Sequence, residues 1–343
     1  MKKLVYLMLI IGVLSFIISG CNNPVVPLVE QSNPGNLTKG AIINVPKDYT
    51  TIQEAIDAAN DGDIIYVSGG TYNEEIVIDG KDLSLIAIGA VTIYNPSSST
   101  KTIEILNSTC TINGFTVEGG LLGIYAREMV DVTLCNNLVT GYQKNGITIN
   151  LAPAIGRIFN NTIIGGGTLG YPSYAQNGIQ FGYGATGVIQ GNAIEGNWYK
   201  GKDWKACGIL VFEANGVTVQ GNSVKTSETG IAVESWGWYY PTANENKIVH
   251  NTINNAEWGV SVAAYDWGYT EMDCSVNNNK VVNNKIEASS GDTGVFVGSS
   301  NDEATEYSAI AKNNKIINNQ ISGYTTDIEN SGTNSKIHAN VVE

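Results

Sequence analysis

The sequence predicts an all-β protein wound into a right-handed parallel β-helix solenoid with a short N-terminal capping α-helix. Composition is the first reason: the 343 residues include 39 glycines, only 8 prolines and 15% charged residues, which fits neither a disordered chain nor a helical bundle. The second and third reasons are two interleaved repeats, one centred on asparagine and one on glycine.

The asparagine repeat aligns nine segments. In each segment an apolar residue stands three positions before the asparagine and another stands two positions after it. The spacing between successive asparagines drifts between 21 and 35 residues, as expected when strands stack and the loops between them vary. Asparagine tolerates a left-handed turn, and its amide can bond the same amide one coil further on, so we expect an internal amide ladder. The nine are Asn113, Asn137, Asn161, Asn192, Asn222, Asn251, Asn284, Asn319 and Asn340.

The glycine repeat has the form Gly-apolar-x-apolar, as in Gly230-Ile231-Ala232-Val233. Each coil therefore contains two or three short strands. Because a short strand cannot bury its apolar side alone, each coil must rest on the next at the strand spacing of ~4.8 Å. The repeat begins at Gly123, Gly146, Gly178, Gly208, Gly230, Gly259 and Gly294.

The N-terminus has the layout of a secretory signal. Lys2 and Lys3 precede an apolar run from Leu4 to Ile18, and Ile18-Ser19-Gly20-Cys21 resembles the bacterial lipobox. We therefore expect a signal peptide at 1–20, a lipidated Cys21 that anchors the mature chain to the cell envelope facing outward, and a flexible tether over 21–40. Residues 41–343 are then expected to form a single domain.

A capping helix is predicted just after the tether. Ile52, Ala55, Ile56 and Ala59 fall on one helical face, and Thr51-x-x-Glu54 has the form of a capping box. Strand-like segments follow at 63–67 and 75–78. The end of a solenoid exposes its core, which a helix of this kind would cover.

From Val45 to Ile78 the sequence resembles the opening of the pectin-lyase-like β-helix superfamily, and its asparagine and glycine repeats resemble that superfamily's parallel β-helix repeats. The resemblance implies the fold over residues 41–343. The superfamily includes uronate lyases, polygalacturonases, pectin methylesterases and noncatalytic surface proteins, so fold alone does not give the activity. No catalytic motif of these enzymes carries over to this sequence.

Charge bears on the choice of partner. The formal net charge is −13, and loss of Lys2 and Lys3 with a signal peptide makes it more negative. Binding to nucleic acid needs a basic face, so nucleic acid is not expected as a partner. The mature protein is expected to be a monomer.

Aromatic residues concentrate in the loops of the central coils, between about 165 and 275. Aromatic rings stack on the apolar faces of sugars, which predicts a polysaccharide groove on the side of the solenoid; the alternative is that long loops bury their own aromatics. Lys202 and Lys205 belong to the densest basic patch and offer a base for a lyase. The predicted binding residues are Trp198, Tyr199, Lys202, Trp204, Lys205, Trp236, Trp238, Tyr239, Tyr265 and Trp267.

Two acids are candidates for chemistry. Glu213 and Glu234 follow the same strand in neighbouring coils and could act as acid and nucleophile of a glycosidase. Alternatively they could bind Ca²⁺ with Asp266 or Asp273, or they could be solvated acids without a role.

The sequence thus favours a surface lipoprotein that binds a polysaccharide, with cleavage left open. Two alternatives stay open: a noncatalytic structural or assembly protein of the cell envelope, and a divergent Ca²⁺-dependent uronate lyase.

Overall fold

The computed structural model describes residues 40–167, 173–201, 205–266, 272–300 and 307–342. The predicted signal peptide, Cys21 and the tether up to residue 39 lie outside the described residues. Within the described part, no helix is both long and apolar enough to cross a membrane.

The described strands form parallel stacks on three faces of a solenoid. On the first face lie β1 (Ile42–Val45), the starts of β2 (Asp63–Tyr72) and β4 (Leu83–Asn95), β6 (Thr109–Asn113), β9 (Asp131–Cys135), β12 (Ile155–Phe159), β15 (Thr186–Gln190), β18 (Thr218–Gln220), β21 (Lys247–Val249), β25 (Lys280–Val282), β28 (Lys315–Ile317) and β30 (Lys336–His338). On the second face lie the ends of β2 and β4, then β7 (Thr116–Gly119), β10 (Leu138–Thr140), β13 (Thr162–Ile164), β16 (Ala193–Glu195), β19 (Ser223–Lys225), β22 (Thr252–Asn254), the starts of β26 (Lys285–Ser300) and β29 (Gln320–Asn330), and β31 (Val341–Val342).

The third face carries the strands of the glycine repeat. It comprises β3 (Ile76–Asp79), β5 (Lys101–Leu106), β8 (Leu122–Arg127), β11 (Asn145–Asn150), β14 (Asn177–Gly182), β17 (Cys207–Phe212), β20 (Thr229–Ser235), β23 (Trp258–Tyr265) and the ends of β26 and β29. A small separate sheet pairs β24 (Cys274–Asn277) with β27 (Ala309–Lys312). All paired strands are parallel, and parallel crossovers turn right-handed, so the predicted right-handed β-helix is confirmed.

Columns of apolar side chains fill the inside of the solenoid. On the third face Ile147, Ile179, Ile209, Ile231 and Val260 occupy one register position in successive coils, and none is exposed to solvent. Since side chains alternate along a strand, their neighbours point outward. The repeat therefore produces a continuous core and, on each face, equally regular outward columns.

The glycines of the third face permit this close stacking. A Cβ added to Gly146 would lie 2.7 Å from the carbonyl oxygen of Gly178 and 2.7 Å from the Ile163 side chain on the second face. Any larger residue would push the third-face strand away from the next coil or from the second face.

The predicted amide ladder is present. The Nδ2 of Asn222 donates to the Oδ1 of Asn251 at 3.0 Å, and its own Oδ1 accepts from the Nδ2 of Asn192 at 3.0 Å. The ladder runs from Asn137 to Asn340. Asn113 lies outside it, because the strand register places Phe115 at the equivalent position of that coil.

The left-handed backbone belongs to a different residue from the one we expected. It is adopted by the residue directly before the ladder asparagine, such as Asn136 (φ 56°) and Asn160 (φ 54°), because the ladder asparagine itself must point its amide inward. A second, shorter ladder of Asn246, Asn279 and Asn314 lies at the turn before β21, β25 and β28.

The capping helix α1 spans Ile52–Ala58, and both hydrogen bonds of the predicted capping box at Thr51 and Glu54 are present. The side chains of Ile52, Ala55 and Ile56 are buried against the first coils. The carboxylate of Glu74 also accepts hydrogen bonds from the backbone N–H groups of Ile52 and Gln53. This helix covers the N-terminal end of the core, as the sequence predicted.

Candidate functional site

A groove of about 570 Å³ lies on the third face, across β14, β17, β20 and β23. Side chains of these strands form its floor, and loops before and after the strands form its walls. The floor residues are Asn177, Gln180, Cys207, Leu210, Phe212, Thr229, Glu234, Trp258, Ser261 and Tyr265. The walls are Lys144, Ser173, Tyr174, Ala175, Tyr183, Lys205, Trp236 and Trp238.

The floor is held by hydrogen bonds between coils. The Oδ1 of Asn177 accepts from the backbone N–H of Cys207 at 3.0 Å. The Oε1 of Gln180 accepts from the Nδ2 of Asn145 at 2.9 Å. The amide nitrogens are bonded as well, since the Nδ2 of Asn177 donates to the Oδ1 of Asn145 at 3.3 Å and the Nε2 of Gln180 donates to the Oδ1 of Asn150 at 3.2 Å. Both amides therefore line the groove in fixed orientations, which lowers the cost of ordering them around a ligand.

Glu234 is the one carboxylate among the described residues that line the groove. Burial raises the pKa of Glu234 from 4.5 to about 7, and a hydrogen bond from the Trp236 side chain partly opposes this effect. Near neutral pH this side chain is therefore divided between the protonated and the ionised form. A carboxylic acid in that state can donate a proton to a ligand or accept one from it.

Two tyrosine hydroxyls accompany Glu234. Burial raises the pKa of Tyr265, and the charge of Glu234 raises it further. Burial raises the pKa of Tyr183 to about 12, with a smaller contribution from the charge of Glu213. Both phenols are therefore neutral at physiological pH and serve as hydrogen-bonding groups, not as charged ones.

The predicted partner of Glu234 occupies a different environment. The backbone N–H of Glu213 donates to the carbonyl of Glu234 at 2.8 Å, so the two residues are neighbours in adjacent coils, as expected. The carboxylate of Glu213, however, is fully buried and accepts hydrogen bonds from four backbone N–H groups, those of Trp236, Trp238, Tyr239 and Tyr240. It does not line the groove, and its role is to hold the loop at 236–240.

That loop supplies the aromatic wall. The rings of Trp236 and Trp238 meet edge to face at 5.0 Å, and both pack against Phe212, at 5.1 and 5.9 Å. Tyr239 contacts Tyr183 at 5.7 Å but leaves 72% of its surface exposed. The loop therefore packs on itself, as one of the two alternatives expected, and Trp236 and Trp238 also line the groove; sugar binding there stays a prediction.

The other predicted binding residues are scattered. Trp198 donates its indole N–H to the carbonyl of Thr226 at 2.9 Å, and neither it nor Tyr199 lines the groove. Lys205 lines the groove and forms an ion pair with Glu257 at 2.7 Å. Lys202, Trp204 and Trp267 lie outside the described residues.

Asp266 and Asp273, the residues predicted to bind Ca²⁺ with the two glutamates, lie in different environments. Asp266 is buried, whereas the carboxylate of Asp273 is exposed and accepts hydrogen bonds from the backbone N–H and the hydroxyl of Ser308. Across the described ranges, no group of three or more His, Cys, Asp or Glu side chains is arranged to hold a metal ion. Calcium binding stays a prediction.

The sequence reading missed several residues of the groove, among them Asn177, Cys207 and Trp258. They share one sequence feature: each directly precedes a glycine of the glycine repeat. Strict alternation would place the residue before this glycine on the same side as the apolar residue after it, so alternation alone would not have predicted that these residues line the groove. Lys144 and Tyr183 come from loops, and no periodicity marks them.

The groove predicts a specific pH dependence of stability. Folding raises the pKa of Glu234, so ionisation of this carboxyl group favours the unfolded state. The protonated group therefore contributes its full stabilisation below the pKa of the unfolded chain, and this stabilisation is lost as pH rises through the pKa of the folded protein. The melting temperature of the wild type should therefore fall relative to that of Glu234→Gln between pH about 4.5 and about 7. Thermal unfolding followed by circular dichroism across this range measures it. Glu195→Gln, on the exposed second face, is the control, and a difference independent of pH would contradict the assignment.

Comparisons with known proteins agree with the fold. Residues 171–307 match a family model described as "Right handed beta helix region". A cell surface glycoprotein of Methanothermus fervidus is 39% identical over 99 residues, which are 28% of this chain and 16% of that protein. The chain thus matches about one sixth of the length of that relative.

Two solved structures illustrate the similarity. A polygalacturonase from Erwinia carotovora ssp. carotovora superposes with a TM-score of 0.54 and 12% identity, over 91% of this chain and 99% of that one. An alginate lyase from Paenibacillus sp. str. FPU-7 superposes with a TM-score of 0.56 and 14% identity, over 88% and 99%. At these identities the likeness shows a shared fold and no more.

Proposed function

We propose that this protein is a surface protein, anchored through lipid on Cys21, that binds a polysaccharide in the groove of the third face. One observation carries the proposal: an open groove in which tryptophan rings, fixed amides and a carboxyl group with a pKa of about 7 converge. Aromatic walls offer apolar surface to the C–H faces of sugar rings, and the amides and carboxyl group fit their hydroxyls.

The comparisons support this proposal at a coarser level. The relative from Methanothermus is named a cell surface glycoprotein, which agrees with a location at the surface. The polygalacturonase and the alginate lyase are named for action on polysaccharides, and they share this fold. The fold hosts other functions as well, so the groove itself must carry the argument.

Cleavage is the second candidate function, and the state of Glu234 favours it. A carboxyl group that is half protonated near neutral pH is suited to protonate the oxygen of a leaving sugar. A hydrolase of the two-carboxylate type also needs a nucleophile or a base. Glu213 is bound to the backbone of the 236–240 loop, so Glu234 would act here without a second carboxylate from the described lining of the groove.

A glycan panel tests both functions. Purified mature protein is mixed with neutral and uronic polysaccharides, with and without Ca²⁺, while tryptophan fluorescence reports binding and reducing ends and unsaturated products report cleavage. Trp238→Ala should weaken binding by roughly tenfold, because it removes one wall of the groove. Glu234→Gln should abolish any cleavage and retain the fold.

Tyr94→Ala serves as the matched control, since this exposed aromatic lies on the second face away from the groove. It should bind as the wild type does. The proposed function is wrong if none of the polysaccharides changes the tryptophan fluorescence, none is retained by the protein and none is cleaved.

A further inference from the structure

Four lysines stand in one column on the first face. Lys247, Lys280, Lys315 and Lys336 are paired in register across β21, β25, β28 and β30. All four are exposed, and each precedes a residue of the internal apolar column, such as the buried Ile248 and Val281. Since adjacent strands lie ~4.8 Å apart, the column places four ammonium groups along ~14 Å of the solenoid axis.

This column lacks internal counter-charges. Among the described residues, none of the four lysines forms an ion pair, whereas Lys101, Lys205 and Lys285 each do so with a glutamate. Like charges directly opposite each other on neighbouring strands are unfavourable. The four ammonium groups therefore repel one another along the column, and no ion pair among the described residues opposes this repulsion.

Apart from Glu245, the flanks of the column are uncharged or basic. The next outward position along the same strands holds Val249, Val282, Ile317 and His338. On the other side, the buried amides of the second asparagine ladder precede three of the lysines. The one carboxylate in these turns is Glu245, at the end next to Lys247. A strip that is apolar at Val249, Val282 and Ile317 thus runs beside a strip of positive charge.

We propose that this lysine column binds a linear acidic polysaccharide, with one carboxylate or sulfate per sugar, along the solenoid axis. The charges are spaced by about the length of one sugar ring, and the apolar strip fits the C–H face of the rings. A narrow chain contacts only the column, whereas a duplex nucleic acid or a flat anionic membrane would also meet the acidic remainder of the protein. This site lies on a different face from the groove and does not rest on the function proposed for it.

The column was not predicted from the sequence, because its members are 21 to 35 residues apart. A signal was present, since three of the lysines occur in the same context: Asn246-Lys247-Ile248, Asn279-Lys280-Val281 and Asn314-Lys315-Ile316. Only the register of the coils shows that these positions form one line.

The test compares binding of the mature protein to polygalacturonate, alginate and heparin, with dextran as a neutral polymer, at several salt concentrations. The double variant Lys280→Gln/Lys315→Gln should lower affinity for the acidic polymers by roughly tenfold or more and flatten the dependence on salt. It should also unfold at a temperature no lower than the wild type, because it relieves repulsion within the column.

The control double variant is Lys47→Gln/Lys225→Gln, which makes the same change in net charge at exposed positions away from the column. It should bind as the wild type does. The loss in the lysine double variant is expected for the acidic polymers and not for neutral glycans bound in the groove, so failure here is distinguishable from failure of the groove.

Three outcomes would overturn the proposal. The first is that the wild type retains none of the acidic polymers. The second is that the control double variant loses as much affinity as the column variant. The third is that the column prefers poly(U) RNA or phosphatidylserine vesicles to the acidic glycans.

Discussion

Replacement of Glu213 by alanine is expected to lower the free energy of unfolding by about 3–5 kcal/mol, in the range of other losses of a buried charged network. The reason is the number of groups that depend on it. Its buried carboxylate accepts from the N–H groups of Trp236, Trp238, Tyr239 and Tyr240, and each donor would lose a charge-assisted hydrogen bond. Chemical denaturation followed by circular dichroism measures the loss.

The same replacement should also disorder the aromatic wall of the groove. Because the loop that carries Trp236 and Trp238 is fixed through Glu213, its tryptophan emission should shift to longer wavelength and its amides should exchange faster. Glu213→Gln keeps one carbonyl oxygen as an acceptor, so its effects should be intermediate.

Glu245→Ala is the matched control. Glu245 also has a left-handed backbone (φ 61°, against 49° at Glu213), but its side chain is exposed. The control removes the same atoms from the same backbone conformation and should change stability by no more than about 0.5 kcal/mol. Equal losses in the two variants would mean that backbone strain, and not the carboxylate, accounts for the effect.

Replacement of Asn222 by alanine is expected to cost about 3–5 kcal/mol. Its Nδ2 donates to the carbonyl of Ile189 and to the Oδ1 of Asn251, and its Oδ1 accepts from the backbone and side-chain amides of Asn192. All of these atoms lie inside the solenoid, so alanine would leave donors and acceptors buried without partners. Equilibrium unfolding in guanidinium chloride gives the change in free energy.

The control for the ladder is its last rung, Asn340. It makes the equivalent bonds to Asn319 and to the carbonyl of Ile316, but it is only partly buried. Water can replace the lost partners there, so Asn340→Ala should cost clearly less than Asn222→Ala. If the two variants are destabilised equally, the burial of the ladder is not what makes it stabilising.

The sequence by itself determined the solenoid, its internal columns, the amide ladder and the capping helix. These features depend on short-range spacing: Asn222 with its apolar neighbours, or Thr51 with Glu54, can be recognised within a few residues. The repeat also predicted that Glu213 and Glu234 lie in adjacent coils, and the register pairs Glu234 with Phe212, one residue before Glu213. In a periodic fold, such long-range contacts can be predicted from the local sequence pattern.

Only the tertiary structure decided what those neighbours do. Spacing gives the position of Glu213 but not the course of the following loop, whose backbone N–H groups turn back onto its carboxylate. The pKa of Glu234 depends on how many atoms surround it, which includes side chains from several coils and loops. The lysine column depends on register across loops of unequal length. These properties arise because burial and charge are summed over all neighbours in space, and the chain brings those neighbours together only after the coils have stacked.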